Sequence, residues 1–397
     1  MISLEEALTI VEQVVRKIKF SGESIPVNQS FGRITTENAT SRLDLPPFDK
    51  AAMDGYAVLA DDERSEYRLI DTVPAGKVSV QKLTPGKTIK VMTGAPLPIN
   101  TAKVIRLEYA SENNSIVNIL TFEKCKNICA QGEDTGQGDL IIKAGTLIGP
   151  LEIANLIACG ITEIKVIRHP RIFIISTGDE LINDIKEYQA GKIMNSNGPM
   201  LISLCQMHHL DVINNLMIPD DKETTILTIK EALHTADIVI LSGGVSVGEY
   251  DFVESAFKEL GLKLHFNKIA VKPGKPMTFA TSENKILFGL PGNPISVYLM
   301  FHIFVLQAVN LITGTKTKIK YSKHILGENF KRGSAKRIEY RPCKIDSDNI
   351  IKLVNYNGSA HLSALLQSDG FFVIPKGITE LAAGSIVDFL PINKIFP

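Results

Sequence analysis

Cysteine is scarce in this chain, neither sign of charge is in excess, and no long apolar run goes uninterrupted. The five cysteines, Cys125, Cys129, Cys159, Cys205 and Cys343, are odd in number and scattered. That distribution argues against a disulfide framework and fits a reducing, cytoplasmic compartment. Cys125 and Cys129 are four apart, but no second Cys/His pair accompanies them, so ordinary thiols are a better reading than a zinc site. Formal net charge is +0, from 43 basic and 43 acidic residues. The basic excess of a phosphate-neutralising nucleic-acid binder is missing, although a local basic pocket for a small anion is still allowed. The opening MISLEEALTIVEQ lacks the basic start and apolar run of a signal peptide. The most apolar stretch, 297–312, is broken by His302, Gln307 and Asn310. It falls short of the ~20 residues of a membrane span, so a buried core helix is expected and no membrane partner. There is no repeat and no low-complexity tract.

What is present is a folded chain of several domains. The 397 residues exceed one ordinary core, and 44% apolar with 22% charged residues is a globular composition. Ser3 and Glu6 form a capping-box pattern ahead of Ala7, Ile10, Val11, Val14 and Ile18 at helical spacing. Up to about residue 170, short β-like runs alternate with turn signals such as Pro46-Pro47, Asp54-Gly55 and Gly132-Glu133-Asp134. From Arg171 the rhythm becomes β–α–β: RIFIIS, a helix near 196–208, DVINNLMI, a helix bearing Ile226, Ile229 and Leu233, then DIVIL. Val253, Ala256, Phe257 and Leu260 mark a further helix. Strands near 263–270, 277–281 and 285–289 and a long helix after Pro294 complete an α/β pattern with a mostly parallel sheet. The expected organisation is a helical and β-rich region at 1–170, in one or two discontinuous parts, an α/β domain at 171–312, a linker at 313–320, and a small C-terminal β-barrel at 321–397.

Ligands of such a sheet sit beyond its C-terminal strand ends, and four segments fall there. STGDEL places Glu180 where it can hold a metal or accept a proton; a helix start favouring acidic residues is the plainer alternative. SGGVSVGEYDF follows DIVIL, and Ser242, Gly243 and Gly244 open a glycine loop that can turn N–H groups onto an anion. Asp251 in the same loop is either a ligand or a helix N-cap. KIAVKPGKP carries Lys268 and Lys272 four apart, on one side if the segment is a strand, and a Pro-Gly turn returns Lys275 toward them. Ammonium groups so clustered call for an anion, unless they are simply solvated surface lysines. In GLPGNPIS, Asn293 suits an N-cap and Pro294 the first helical position, leaving Pro291-Gly292 as a rigid turn near a ligand. Upstream, LPPFDKAAMDGYA holds Asp54, where Asp54-Gly55 can equally be a hairpin turn, and MTGAP holds Thr93.

LPPFD…AMDGYA, MTGAP, GED, STGDEL, SGGVSVGEYD, KPGKP and GLPGNP occur in one order across most of the chain. Together they resemble the MoeA family, which includes the E domain of gephyrin. The resemblance implies a MogA-like α/β domain, a C-terminal β-barrel and an elongated homodimer. It implies an enzyme that inserts molybdate into adenylylated molybdopterin with release of AMP and a requirement for a divalent cation, usually Mg2+. Transient contact with other cofactor-biosynthesis or acceptor proteins also follows. By motif match the functional residues are Asp54, Thr93, Asp134, Glu180, Asp220, Asp251, Lys268, Lys272, Lys275, Pro291 and Pro294. Of these, Glu180, Asp251 and Asp54 are expected in catalysis, Glu180 and Asp251 at the metal, and the others at the substrate. The sequence departs from the family where arginines often precede GED: Cys129, Ala130 and Gln131 stand there, with Lys124 and Lys126 nearby. Two other readings compete, an adenylyltransferase on the same α/β fold and a receptor-clustering scaffold. The large β-rich first part with KPGKP and GLPGNP disfavours the first, and the lack of a gephyrin-like linker disfavours the second.

Overall fold

A computed structural model describes residues 1–244, 257, 259–315 and 319–392. The chain forms two compact units, Met1–Ser21 with Ile167–Pro397, and Gly22–Val166.

The first unit is built on a six-stranded sheet in the order Asp211–Ile218, Arg171–Thr177, Ile238–Ser242, Lys285–Leu290, Thr278–Ser282, Lys263–Phe266. The first four strands run parallel, and the last two are antiparallel to their neighbours. Parallel strands covered on both faces read as unbroken apolar runs, and Ile172 to Ile175 and Ile238 to Leu241 are all buried. Alternation along these strands feeds two cores. Ile172, Ile174, Ile238 and Ile240 face one cluster, and Phe173, Ile175, Val239 and Leu241 face the other.

The opening helix, Leu4–Val15, packs on this unit rather than on the β-rich segment that follows it, with Leu4, Ala7, Val11 and Val15 buried in the same cluster as Ile172 and Phe301. Its capping box is present: Ser3 Oγ accepts from Glu6 N at 3.1 Å, and Ser3 N donates to Glu6 Oε2 at 2.8 Å. A cap of this kind contributes about 1 kcal/mol. The apolar helix after Pro294 runs the 20 residues Pro294–Thr313, longer than its interruptions suggest, with a π-helical stretch at Phe301–Val305. It is a core helix, since Ile295, Val297, Leu299 to Phe301 and Ile303 to Val305 are fully buried. It ends at Gly314, which has φ 76°.

The expected strand at 263–270 stops at Phe266, and only Val271–Lys272 resumes as a strand, pairing with Ile338 and Glu339. Lys268 therefore does not share a strand with Lys272. Five C-terminal strands, Ser322–Leu326, Ile338–Ile345, Ile350–Leu353, Gly370–Ile374 and Ile386–Pro391, close a barrel through the pairing of Ile338–Ile345 with both Ile350–Leu353 and Gly370–Ile374. The helix expected around Val253 to Leu260 lies mostly outside the described residues.

The second unit holds a six-stranded sheet ordered Thr101–Arg106, Gly55–Leu59, Lys87–Val91, Glu66–Val73, Ile116–Ile119, Ala110–Asn113. Its faces separate by strand alternation, with Ala57, Ile89 and Val104 on one side and Tyr56, Tyr67 and Ile105 on the other. Segments before and after this sheet share another core of Val27, Ile142, Ile148, Leu156, Ile161, Ile164 and Val166. The helix Pro150–Ala158 begins with proline in its first turn, where its missing N–H costs nothing.

Two half-buried imidazoles, His208 and His302, lie close together in the first unit. The Tyr298 and His208 rings lie 4.5 and 6.0 Å from His302, whose Nε2 finds no hydrogen-bond partner among the described residues. Burial, aided by His208, pushes the His302 pKa down to about 4. In the unfolded chain the ring takes its proton near the ordinary pKa of about 6.5. Between those values the unfolded state binds more protons, so stability is complete above about pH 6.5 and falls as pH drops toward about 4. The full loss for this ring is about 3 kcal/mol. His302→Leu should flatten the urea-midpoint profile between pH 7 and pH 4; an unchanged slope would show that other groups carry the acid sensitivity.

Candidate active site

Parallel strands deliver their C-terminal ends to one edge of the sheet, and a cleft of about 1500 Å³ opens there in the first unit. Ser176 to Gly178 and Glu180 line it from the end of Arg171–Thr177, Asp220 from beyond Asp211–Ile218, and Ser242 to Gly244 from the end of Ile238–Ser242. The turn Pro291 to Pro294 and the segment Lys272 to Pro276 contribute further walls, as do Arg337, Arg341 and Tyr356 to Ala360 of the C-terminal region.

The glycine loop is fixed by close backbone approach. Gly243 has φ 89°, and a Cβ there would lie 2.3 Å from the Thr177 carbonyl oxygen. Asn197 ties this loop to the proline turn: its Nδ2 donates to Ser242 Oγ at 3.0 Å and to the Gly292 carbonyl at 2.7 Å. Asn293 precedes the long helix but makes no side-chain cap; its Nδ2 donates instead to Ser359 Oγ at 2.9 Å, joining the turn to the C-terminal wall.

Charge in the cleft is divided. Asp220 N donates to Asp179 Oδ1 at 3.0 Å. Burial, then the nearby charges of Asp179 and Glu180, raise the Asp220 carboxyl above its ordinary range against a lowering hydrogen bond from Thr177. Among the described residues no group of three His, Cys, Asp or Glu side chains could by itself hold a metal ion. Lys272 and Lys275 are exposed at the cleft. The lysine segment is not the uncompensated cluster its sequence suggests, because Lys272 Nζ lies 3.1 Å from Glu339 Oε1. Ile269 N donates to the Lys275 carbonyl at 3.0 Å, so the Pro-Gly turn does bring that residue back. Lys268 is half-buried and not part of the cleft wall.

The sheet edge thus gathers Glu180, Asp220, Ser242, Gly243, Gly244, Lys272, Lys275, Pro291 and Pro294. Asp251 lies outside the described residues. Asp54, Thr93 and Asp134 belong to the other unit. There, Asp54 Oδ1 accepts from Thr93 N at 2.6 Å and Thr93 Oγ1 at 2.7 Å, and these two bonds, the backbone one first, lower its pKa. Asp54-Gly55 is not a hairpin turn, since Lys50–Ala51 and Gly55–Leu59 pair with different partners. Glycine is required at 55 because a Cβ would come 2.2 Å from the Ile105 carbonyl oxygen. Asp134 is exposed, on a loop stitched to the LPPFD segment: Asp134 N and Thr135 N donate to Leu45 O at 2.9 and 3.1 Å. In the Cys129–Gln131 stretch before Gly132, Gln131 Nε2 donates to Asp44 Oδ2 at 2.7 Å; Lys124 and Lys126 are exposed.

Sequence reasoning missed Asn197, Glu339, Arg337, Arg341 and Tyr356. Arg337 and Arg341 are four apart in the barrel segment, a same-side spacing, but nothing in the sequence connects them to a sheet edge formed far upstream. Arg341 lies 5.2 Å from the centroids of both the Phe330 and Tyr356 rings.

Family models match in three consecutive blocks: the MoeA N-terminal region (domain I and II) over residues 2–160, a "Probable molybdopterin binding domain" over 173–310, and the MoeA C-terminal region (domain IV) over 325–392. A molybdopterin molybdenumtransferase of Staphylococcus epidermidis is 32% identical over 400 residues, covering 98% of this chain and 95% of the relative. The chain belongs to the MoeA family. A Staphylococcus aureus MoeA relative, also named molybdopterin molybdenumtransferase, is 32% identical over 96% of this chain and 94% of its own. The crystal structure of a molybdopterin biosynthesis MoeA protein from Pyrococcus horikoshii superposes with a TM-score of 0.83 at 30% identity, covering 99% of this chain and all of the other. In this MoeA chain the α/β pattern and the C-terminal barrel expected from the sequence are both present.

Gly243→Ala should cost on the order of 2–4 kcal/mol in urea denaturation, because it combines a positive φ with a carbonyl clash. Gly94→Ala, at φ 79° but with nothing within 4 Å of a Cβ, is the control and should cost only about 1 kcal/mol. Equal losses would show that the Thr177 contact does not fix the loop.

Proposed function

We propose that this chain is a molybdopterin molybdotransferase, which inserts molybdate into adenylylated molybdopterin and releases AMP. The observation that carries the reading is one cleft, at the C-terminal sheet edge, that combines a glycine turn, carboxylates and several cations. Phosphate and molybdate oxygens carry negative charge, so Lys272, Lys275, Arg337 and Arg341 supply charge-assisted contacts. Gly243 and Gly244 let the main chain approach a phosphate closely. As the phosphoanhydride bond breaks, fixed cations stabilise the charge that gathers on the departing AMP phosphate. Asp54, held by two donors of Thr93, is a preorganised acceptor in the other unit, and Asp134 offers a further exposed carboxylate.

The carboxylates at the cleft fit the magnesium ion implied by the family. Asp220 is held above its ordinary pKa partly by Asp179 and Glu180, a crowding of negative charge that a cation relieves. Magnesium commonly takes one or two carboxylates and completes its shell with water and substrate phosphate. Glu180 and Asp220 would hold it, joined in this reading by Asp251. When bound it would neutralise phosphate charge. The reading also includes a homodimer, transient contact with partner proteins of the same biosynthesis, and a cytoplasmic location compatible with five free cysteines.

Incubation with adenylylated molybdopterin should release AMP only when molybdate and a divalent cation are both present. Equal release without molybdate would replace this reading with a plain pyrophosphatase.

Lys275→Ala should weaken molybdate binding by about 1.5–3 kcal/mol, the value of one charge-assisted contact, and leave apo-protein melting unchanged. A large fall in melting temperature with unaltered binding would make the lysine structural.

Asp220→Asn tests the acidic side. A raised carboxyl pKa means that the folded state binds the proton more tightly than the unfolded one. The resulting penalty is absent below the ordinary Asp value of 3.8 and grows as pH rises through it. The variant should melt slightly higher than wild type at pH 7 and equally near pH 3. It should also need more magnesium for half-maximal AMP release. A lower melting point at pH 7 with unchanged magnesium dependence would contradict both roles.

A further inference from the structure

Glu339 is almost fully buried, at 1% exposure, yet it makes ionic contacts in two directions. From the interior, Arg332 NH1 lies 3.3 Å from its Oε2. Arg332 is itself buried, and its remaining donors go to carbonyls: Nε to Ile378, NH2 to Pro375 and NH1 to Arg337. From the cleft, Lys272 Nζ lies 3.1 Å from Oε1, an ionic contact rather than an aligned hydrogen bond. The backbone sets this meeting. Val271–Lys272 pairs in parallel with the first residues of the barrel strand, with Lys272 opposite Glu339.

Two cations share one carboxylate, which leaves a single surplus positive charge. Arg332 is enclosed and occupied, so the surplus is presented by Lys272, whose side chain is 48% exposed. We infer that Glu339 is a positioning residue: from the C-terminal barrel it holds the Lys272 ammonium at the cleft and restrains it from following the anion. This inference rests on the proposed reaction and adds to it a residue that does not line the cleft.

A restrained cation binds the ground-state anion less tightly than a free one but stays where charge develops. Glu339→Gln removes a negative charge beside Lys272 and frees its side chain. In the full-length protein, inorganic molybdate measured by calorimetry should then bind about threefold tighter. The kcat for molybdate-dependent AMP release should fall about tenfold while the KM for molybdate stays level or drops. A general packing lesion would not split kcat from KM in that direction. In a Lys272→Ala background, Glu339→Gln should lower kcat no further.

Glu339→Asp keeps the charge but withdraws it from Lys272, and should lie between wild type and Gln; it also serves if the Gln variant does not fold. Weaker molybdate binding by Glu339→Gln, or an equal loss of kcat with and without Lys272, would overturn the inference. Binding needs no turnover, so wild type that bound molybdate without releasing AMP would defeat the proposed reaction while leaving the calorimetric comparison decisive for Glu339.

Discussion

Parallel pairing of four strands, three of them apolar and buried, is the constraint on which the site depends. Strands that run the same way cannot be joined by tight turns, so each connection crosses a face of the sheet as a longer segment. Every strand then ends at the same edge, and each end must turn sharply into the next connection. STGDE, SGG and PGNP are those turns, after Arg171–Thr177, Ile238–Ser242 and Lys285–Leu290. Their small and turn-forming residues follow from the geometry before any ligand is considered. The cleft is the space these turns leave, and Asn197 fixes two of them together by donating to Ser242 and to Gly292.

The remaining walls come from a different principle. The Lys272 segment is attached to the barrel by a two-residue parallel pairing and by the ion contact with Glu339. Asn293 reaches Ser359 from the proline turn, and Ile295 N donates to the Ser359 carbonyl at 3.1 Å. The barrel also shares the main apolar cluster, contributing Tyr340, Phe371, Val373 and Leu390. Packing and polar contacts thus hold the barrel wall against the sheet edge. A buried carboxylate is costly unless compensated, and Glu339 is compensated from both sides. That arrangement converts a buried charge into a fixed position for a lysine at the cleft.

The second unit prepares its polar residues by local means. Asp54 receives both donors of Thr93 at short distance, which keeps the carboxylate charged and oriented. The LPPFD segment and the loop bearing Asp134 are joined mainly through backbone groups, with Leu45 accepting from Asp134 and Thr135. Just before Gly132, the Gln131 amide is committed to Asp44.

Much of this was legible in the sequence. Unbroken apolar runs identified the buried strands, Ser3 with Glu6 identified the helix start, and the glycine and proline turns marked the sheet edge, because each depends on residues close together in the chain. Glu180, Ser242, Lys275 and Pro291 could be named for the same reason, and the order of the motifs pointed to the family. Tertiary structure decided the rest. It cut the strand short at Phe266, separating Lys268 from Lys272, because the chain there changes partners from the central sheet to the barrel. It sent Asn293 to Ser359 instead of a helix cap, and it placed the opening helix on the α/β unit. It also supplied Glu339 to a lysine that in sequence had no partner. Local propensity records what a residue does with its near neighbours; an ion pair between residues 67 positions apart exists only once two strands have met.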